Sequence, residues 1–397
     1  MQLAARYAAA IEILDDILAG APAEKALTRW ARGHRFAGSK DRAAIRDHVF
    51  DALRTRRSSA ALGGSDTGRG IVIGLCRRQG VDLLSVFSGE GHAPSPLTEE
   101  EQFLEFETVD AHLRALPPAE RLDCQDWVFE RFSIQLGDGS EKILAGLQNR
   151  APVFLRVNTL KGTPDDARDM LAQDGIVVTQ VTDFKNALDV TENARKIRLS
   201  NAYLSGLVEL QDISSQSSVS DLNIPSNARV LDYCAGGGGK SLALAAHSAR
   251  PPAIYAHDIE AARMRDLPDR AARAGANILP VGSDELAALA PFDVVFVDAP
   301  CTGSGTWRRT PDSKWRLTED DFESYCRTQA ELVEKTAHLV VHGGMLVYAT
   351  CSLFREENED QIDGFLRSHA DWVQISSIRA DGETGGDGFY HAVIQRI

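Results

Sequence analysis

The sequence lacks the cysteine spacing of a zinc site or of a disulfide framework. No Cys-x-x-Cys pair occurs among its six cysteines, which stand at positions 76, 124, 234, 301, 326 and 351. We therefore expect no bound metal, and reduced thiols in a cytoplasmic protein. No apolar run approaches the roughly 18 residues that span a bilayer, and residues 1–20 contain three acids on a helical pattern, unlike a signal peptide, so we expect no membrane segment.

Basic residues are also fewer than acidic ones, 43 against 57. The net charge of -14 argues against a protein that coats nucleic acid nonspecifically. Residues 21–60 are the exception, with ten basic side chains and four acidic ones. This local excess predicts either a surface that faces phosphates or an ordinary solvated helical face.

The pattern of the sequence changes along its 397 residues, which are enough for two or three domains. Residues 1–88 are typical of a basic helical region, and residues 89–150 of a linker followed by helices. Residues 151–205 indicate a small α/β unit, which we expect to bind RNA and in which "TPDDARDMLAQDG" predicts a capped helix. Strands and helices alternate through residues 206–397. This pattern predicts an α/β fold with a doubly wound parallel sheet, which binds ligands at the carboxyl ends of its strands.

A glycine-rich loop, "CAGGGGKS", follows the first strand of that sheet and nearly matches two nucleotide-binding motifs. The P-loop pattern requires glycine at position 234, where the sequence has Cys234. The dinucleotide pattern requires glycine at position 241, where the sequence has Ser241. The loop still suits close approach of a ligand to the backbone, although a tight turn alone is the alternative. We interpret it as a loop for a nucleoside ligand, S-adenosylmethionine rather than NAD or ATP. Its residues are Cys234, Ala235, Gly236, Gly237, Gly238, Gly239 and Lys240.

Two acids follow the next strands at positions that suit the same ligand. Asp258 lies 22 residues beyond Gly236 at the end of "AIYAHDIE", where a carboxylate can accept hydrogen bonds from ribose hydroxyls. Asp284, in "VGSDEL", could accept from an adenine amino group. A surface role is the alternative for each acid taken alone.

Two cysteines stand just past the ends of two apolar runs. Cys301 follows "VVFVDAP" and Cys351 follows "MLVYAT". Neighbouring strands lie about 4.8 Å apart, so both thiols can face one pocket if these strands are adjacent. For either cysteine alone, a small buried apolar role is the alternative.

These groups are the components of methylation at carbon 5 of cytosine. A thiolate that adds to carbon 6 makes carbon 5 nucleophilic, and carbon 5 then attacks an activated methyl group. An acid near ring nitrogen 3 stabilises the adduct, and a base removes the carbon 5 proton before the thiolate leaves. The sequence supplies Cys351 or Cys301, Asp298 and the glycine-rich loop.

Six ordered motifs resemble the Sun/RsmB-type, nucleolar NOL/NOP-like family of RNA cytosine-5 methyltransferases. They are "LRVNTLK", "LQDISSQ", "VLDYCAGGGGKS", "DAPCTGSGTWRRTPD", "LVYATCSLFREENEDQI" and "DGFYHAVIQR". The resemblance implies a Rossmann-like class I methyltransferase domain at residues 206–397 and S-adenosylmethionine as the cofactor. The basic start resembles a shortened NusB-like domain.

The resemblance also implies roles for the site residues. Cys351 would be the nucleophile, Cys301 would assist product release, and Asp298 would contact the target cytosine and the cofactor. The glycine-rich loop, Asp258 and Asp284 would hold the cofactor. DNA cytosine methyltransferases use the cysteine of the Pro-Cys motif instead, and spacing alone leaves both assignments open.

The loop departs from the Ala-Pro-Gly-Gly-Lys-Thr usual in the family. Gly237 replaces the proline, so we expect a more flexible loop.

Basic residues follow Cys301 in the sequence. Arg308, Arg309 and Lys314 are expected to neutralise RNA phosphates, unless they form an ordinary exposed loop, and Trp307 would stack on RNA or pack in the protein.

We therefore expect a monomeric RNA methyltransferase whose partner is small-subunit ribosomal RNA. The alternatives are a transfer-RNA methyltransferase of the same mechanism and a noncatalytic RNA-binding assembly factor, which would need neither the two cysteines nor Asp298. A nicotinamide oxidoreductase is disfavoured by Ser241 at the position of the third glycine.

Overall fold

The structure is a computed structural model that describes residues 1–102, 108–225, 227–247, 252–382 and 385–397. Residues 103–107 of the predicted 89–150 segment thus lie outside the described residues. The chain forms a helical unit (Met1–Arg150 and Trp307–Leu317) and an α/β unit (Ala151–Thr306 and Thr318–Ile397). Within the described residues, no helix has both the length and the apolar character needed to cross a membrane.

Several helices of the helical unit pack around a shared apolar core. In the first helix, Leu14 is fully buried, and Ile11 and Leu18 of the same predicted face are partly buried against the core. The helices before residue 151 are α1 (Leu3–Leu18), α2 (Ala23–Gly33), α3 (Ser39–Arg54), α4 (Arg56–Gly63), α5 (Gly68–Arg78), α6 (Leu83–Val86), α7 (Glu99–Gln102), α8 (Val109–Ala115), α9 (Pro118–Arg121), α10 (Asp126–Leu136) and α11 (Ser140–Leu147).

The α/β unit begins with a small antiparallel sheet of strand order β2-β3-β1-β4 among the described residues. Its elements are β1 (Phe154–Val157), α12 (Pro164–Gln173), β2 (Val177–Gln180), β3 (Ala187–Glu192), α13 (Asn201–Leu204) and β4 (Val208–Leu210). The predicted capped helix is α12, where Thr163 and Asp166 form a reciprocal capping box ahead of Pro164. The Asn158 side chain donates to Gly206 O and Ala274 O at 2.9 and 2.8 Å, which fixes this sheet to the rest of the unit.

The second sheet has the order β10-β11-β9-β8-β5-β6-β7 in the described part of the chain. Its elements, with the helix α18 that belongs to the helical unit, follow in chain order: α14 (Ile213–Ser220), β5 (Arg229–Asp232), α15 (Gly239–Ala245), β6 (Ala253–Ala256), α16 (Leu267–Ala274), β7 (Ile278–Pro280), α17 (Leu286–Leu289), β8 (Phe292–Asp298), α18 (Pro311–Arg316), α19 (Glu319–Ala337), β9 (Val340–Thr350), α20 (Glu359–Ser368), β10 (Trp372–Asp381) and β11 (Gly388–Arg396).

The predicted fold class is confirmed by the packing of this sheet. Strands β5 to β9 run parallel, and β8 is almost continuously buried, as expected for a strand covered on both faces. Val294 and Phe296 pack in a cluster with α15, whereas Val295 and Val297 pack in another with α19. Successive strand residues point to opposite faces, so helices cover both sides. The antiparallel strands β11 and β10 complete one edge.

Candidate active site

A cavity of about 760 Å³ opens at the carboxyl ends of the parallel strands in the α/β unit. Its size is typical of a small-molecule site. The predicted site residues in its lining are Cys234, Ala235, Gly236, Gly237, Gly239, Lys240, Asp258, Asp298, Cys301 and Cys351. Among the described residues, the lining leaves out Gly238 and Asp284, and Asp284 is exposed. The contact of Asp284 with adenine therefore stays a prediction.

The glycine-rich loop turns sharply between β5 and α15. Gly236 and Gly238 have φ angles of +52° and +83°, in the left-handed region that favours glycine. A Cβ at Gly238 would also lie 2.2 Å from Leu267 Cδ1. The Gly237 carbonyl accepts a hydrogen bond from the Arg270 guanidinium. This bond restrains the loop at the position where the absence of proline led us to expect flexibility.

Asp258 is a buried carboxylate that lies against this loop. Its Oδ2 accepts from the Gly236 backbone N–H and its Oδ1 from that of Glu260, each at 2.9 Å. The Arg263 guanidinium lies 3.3 Å from Oδ2. Asp258 thus anchors the loop inside the cavity, where its remaining acceptor capacity suits ribose hydroxyls.

Lys240 and Asp298 form an ion pair on the cavity wall. Lys240 Nζ donates to Asp298 Oδ2 at 2.8 Å and lies 5.1 Å from the centroid of the Phe389 ring. The lysine side chain is 9% exposed and that of Asp298 is 33% exposed, so the pair is partly shielded from water. The contact orients the Asp298 carboxylate, a function of Lys240 that the sequence did not indicate because the two residues are 58 positions apart.

The two candidate cysteines meet at the cavity. Strands β8 and β9 are parallel neighbours with Asp298 opposite Ala349, and the residues that follow them bring the two Sγ atoms to 3.5 Å. The hydrogen bond with Cys351, followed by burial and the negative charges of Cys351 and Glu357, raises the pKa of Cys301 well above its usual value. Cys301 therefore favours the neutral thiol, which can donate to a Cys351 thiolate.

A second carboxylate near the thiols was not predicted from the sequence. Glu357 is fully buried, yet it hydrogen bonds with the residue after each cysteine, Thr302 and Ser352. The acidic stretch "FREENEDQI" is a common surface pattern, so no local signal distinguishes this glutamate from its neighbours.

The predicted RNA-binding residues lie in the segment that belongs to the helical unit, and two of them are buried. Lys314 is 2% exposed and Arg308 is 8% exposed. Lys314 Nζ lies 3.4 Å from Arg54 O, and burial lowers its pKa to about 8. The expectation that these two side chains neutralise phosphates is therefore corrected, because neither is open to a ligand. Arg309 is half-buried, and its RNA contact stays a prediction.

The aromatic residue of this segment packs within the protein. Trp307 is fully buried, with its ring centroid 6.2 Å from that of Phe132. Arg54, one of the basic residues of the 21–60 stretch, is also buried and donates to Arg308 O at 2.7 Å. This part of the local positive charge stabilises the helical unit and does not face solvent.

The chain matches two family models. Residues 219–392 match "16S rRNA methyltransferase RsmB/F", and residues 125–196 match the ferredoxin-like domain of RsmF/B-like methyltransferases.

Curated relatives and a solved structure agree with these matches. The ribosomal RNA small subunit methyltransferase B of Xanthomonas campestris is 32% identical over 294 residues, 68% of this chain and 65% of that protein. The protein of the same name from Yersinia enterocolitica is 31% identical over 279 residues, 67% and 65% of the two chains. This chain thus spans just under two thirds of the length of these relatives. A methyltransferase homolog protein from Pyrococcus horikoshii matches with a TM-score of 0.62 and 27% identity, over 70% of this chain and 98% of that one. The chain belongs to the RsmB/F methyltransferase family.

Proposed function

We propose that this chain methylates carbon 5 of a cytosine in small-subunit ribosomal RNA, with S-adenosylmethionine as the methyl donor. The observation that carries the proposal is the 3.5 Å contact between Cys301 and Cys351 at a cavity that also contains the Asp298 carboxylate. A binding module or a nicotinamide oxidoreductase needs no such thiol pair. Family membership supports ribosomal RNA as the substrate class.

The residues of the cavity fit the methyl donor. The left-handed glycines let backbone approach a ligand closely, and the buried Asp258 carboxylate offers acceptors for ribose hydroxyls. When bound, S-adenosylmethionine would supply an electrophilic methyl group. Asp258 and the loop from Cys234 to Lys240 would orient it, and Asp298 would lie between the loop and the thiols.

Cys351 is the nucleophile in this proposal. Its thiolate would add to carbon 6 of cytosine, and the electron pair would move toward carbon 5 and make it nucleophilic. Carbon 5 would then take the methyl group that the cofactor supplies, as the bond from that methyl group to the cofactor sulfur breaks. In this proposal the neutral Cys301 thiol, 3.5 Å from the attacking sulfur, donates to it before the new bond forms. Asp298, whose carboxylate accepts from Lys240, would accept a hydrogen bond from ring nitrogen 3 once that nitrogen is protonated, and would so stabilise the adduct.

Release requires two further events. A base takes up the proton on carbon 5, and the bond between carbon 6 and the Cys351 sulfur breaks as the ring regains its double bond, so that the sulfur leaves as a thiolate. Cys301 lies close enough to that sulfur to assist this elimination. In this proposal the two thiols therefore have different functions in one cycle.

Denaturing gel electrophoresis of each cysteine variant with substrate RNA and S-adenosylmethionine tests this assignment. Cys351→Ala should form neither methylated RNA nor a covalent complex. Cys301→Ala should attack and transfer the methyl group but stall before elimination, which leaves a slowly migrating complex of protein and RNA. The double variant should form none. The opposite pattern would make Cys301 the nucleophile and refute the assigned roles.

A further inference from the structure

Glu357 is a buried acid outside the lining of the 760 Å³ cavity, as far as the described residues define it. It ends a short helical turn, Arg355–Glu357, a few residues beyond β9. Burial raises the pKa of its carboxyl group, and a buried carboxylate is costly unless donors surround it. The donors around Glu357 indicate why the fold retains it.

One side of the carboxylate binds the loop that carries Cys301. Glu357 Oε1 accepts from the Thr302 backbone N–H at 2.8 Å, and Oε2 accepts from the Thr302 hydroxyl at 2.5 Å. Gln329 Nε2, from α19, donates to Glu357 Oε1 and to Pro300 O, each at 2.9 Å. Thr302, after Cys301, therefore binds Glu357 directly, and Pro300, before Cys301, binds Gln329, which itself donates to Glu357.

The other side binds the segment that carries Cys351. Glu357 Oε2 accepts from the Ser352 hydroxyl, and the Glu357 backbone carbonyl accepts from the Tyr348 hydroxyl at 2.6 Å. The two segments also meet directly, because Gly305 N donates to Cys351 O at 3.0 Å. A carboxylate has two acceptor oxygens and can therefore bind donors of both segments at once. A hydroxyl or a single carbonyl has one oxygen and accepts fewer hydrogen bonds.

We propose that Glu357 is a positioning residue that fixes the separation of the Cys301 and Cys351 thiols by binding the residue that follows each of them. It acts through Thr302 and Ser352 and does not touch the substrate. Its consequence for methylation rests on the proposed function above. Its consequence for the distance between the sulfur atoms does not, so the two can be tested separately.

Two substitutions separate hydrogen bonding from charge. In Glu357→Gln, the amide oxygen can accept from the Thr302 N–H, and the amide nitrogen can donate to the hydroxyls of Thr302 and Ser352 after these rotate. Glu357→Ala removes all of these bonds. If Glu357 positions the thiols through these hydrogen bonds, Glu357→Gln should largely keep their separation and Glu357→Ala should lose it. Glu323→Gln and Glu323→Ala are matched controls, since Glu323 is an exposed glutamate of α19.

The distance between the thiols is measured without RNA, by oxidation with diamide. Formation of the disulfide transfers two electrons and two protons from the thiols to the azo bond of diamide, which becomes a hydrazine. Peptide mapping identifies the Cys301–Cys351 disulfide and its rate of formation. We expect a rate close to wild type for Glu357→Gln and both controls, and a rate lower by about 10- to 100-fold for Glu357→Ala, as displacements near 1 Å can produce. A wild-type rate in Glu357→Ala would overturn the proposal.

Protein stability is checked by thermal melting of each variant. If Glu357→Ala does not fold, Thr302→Val and Ser352→Ala decide the question, because each removes one hydroxyl partner and leaves the carboxylate in place. Slower formation of the Cys301–Cys351 disulfide in both variants supports the positioning role of Glu357, and wild-type rates in both overturn it.

Methyl transfer is a separate readout. Glu357→Ala should lower kcat while the KM for RNA and the affinity for S-adenosylmethionine stay near wild type, and Glu357→Gln should recover most of kcat. If the wild-type protein methylates no RNA, the proposed function fails, but the diamide rates still decide the role of Glu357.

Discussion

Replacement of Asp258 by alanine should weaken the binding of S-adenosylmethionine. The Asp258 side chain is 1% exposed, and its carboxylate accepts from the Gly236 and Glu260 backbone N–H groups at 2.9 Å. Alanine leaves the Gly236 N–H and the ribose hydroxyls without this acceptor. An unpaired buried group costs about 1–3 kcal/mol, which corresponds to roughly 5- to 150-fold in Kd. The ion pair with Arg263, whose side chain is 57% exposed, adds little to this cost.

Isothermal titration calorimetry of the full chain with S-adenosylmethionine measures the loss. Asp269→Ala is the matched control, because Asp269 is an exposed aspartate of the nearby helix α16. The control should bind as wild type does. An Asp258→Ala variant that melts like wild type and binds S-adenosylmethionine with unchanged Kd would refute the assignment of Asp258 to the cofactor site.

Two further predictions follow from buried titratable groups. Burial raises the pKa of Asp232 from 3.8 to about 7, so the folded state holds a proton that the unfolded state loses, and the free energy of unfolding should fall as pH rises across that window. Asp232→Asn, which keeps an acceptor for the Ser241 hydroxyl, should flatten this slope in urea denaturation at several pH values; an unchanged slope would argue against a neutral Asp232. Lys314→Met should leave RNA affinity and its salt dependence unchanged in filter binding, because Lys314 is buried. Weaker RNA binding, with a smaller dependence of the affinity on salt concentration, would show that Lys314 contacts RNA after all.

Local patterns in the sequence were sufficient to predict much of the α/β unit. The apolar run before Asp298 predicted β8, and the sequence from Thr163 to Asp166 predicted the capped start of α12. Cys301 and Cys351 could be placed at one edge because both follow apolar runs, and adjacent parallel strands end at the same edge of a sheet.

Contacts between distant residues could not be predicted in this way. The Lys240–Asp298 pair and the bonds of Glu357 to Thr302 join positions more than 50 residues apart, and the side chains involved have no pattern of their own. Lys314 was misjudged for a related reason. The basic sequence after Cys301 is typical of an exposed loop, but Trp307–Leu317 belongs to the helical unit, which buries Lys314.

Bisulfite sequencing of ribosomal RNA from a strain that lacks this protein tests the central claim most directly, since carbon 5 methylation protects cytosine from conversion. We predict that a cytosine of the small-subunit RNA loses its protection in that strain. The wild-type protein should restore protection, and Cys351→Ala should not. A deletion strain in which every protected cytosine of the small-subunit RNA remains protected would contradict the account.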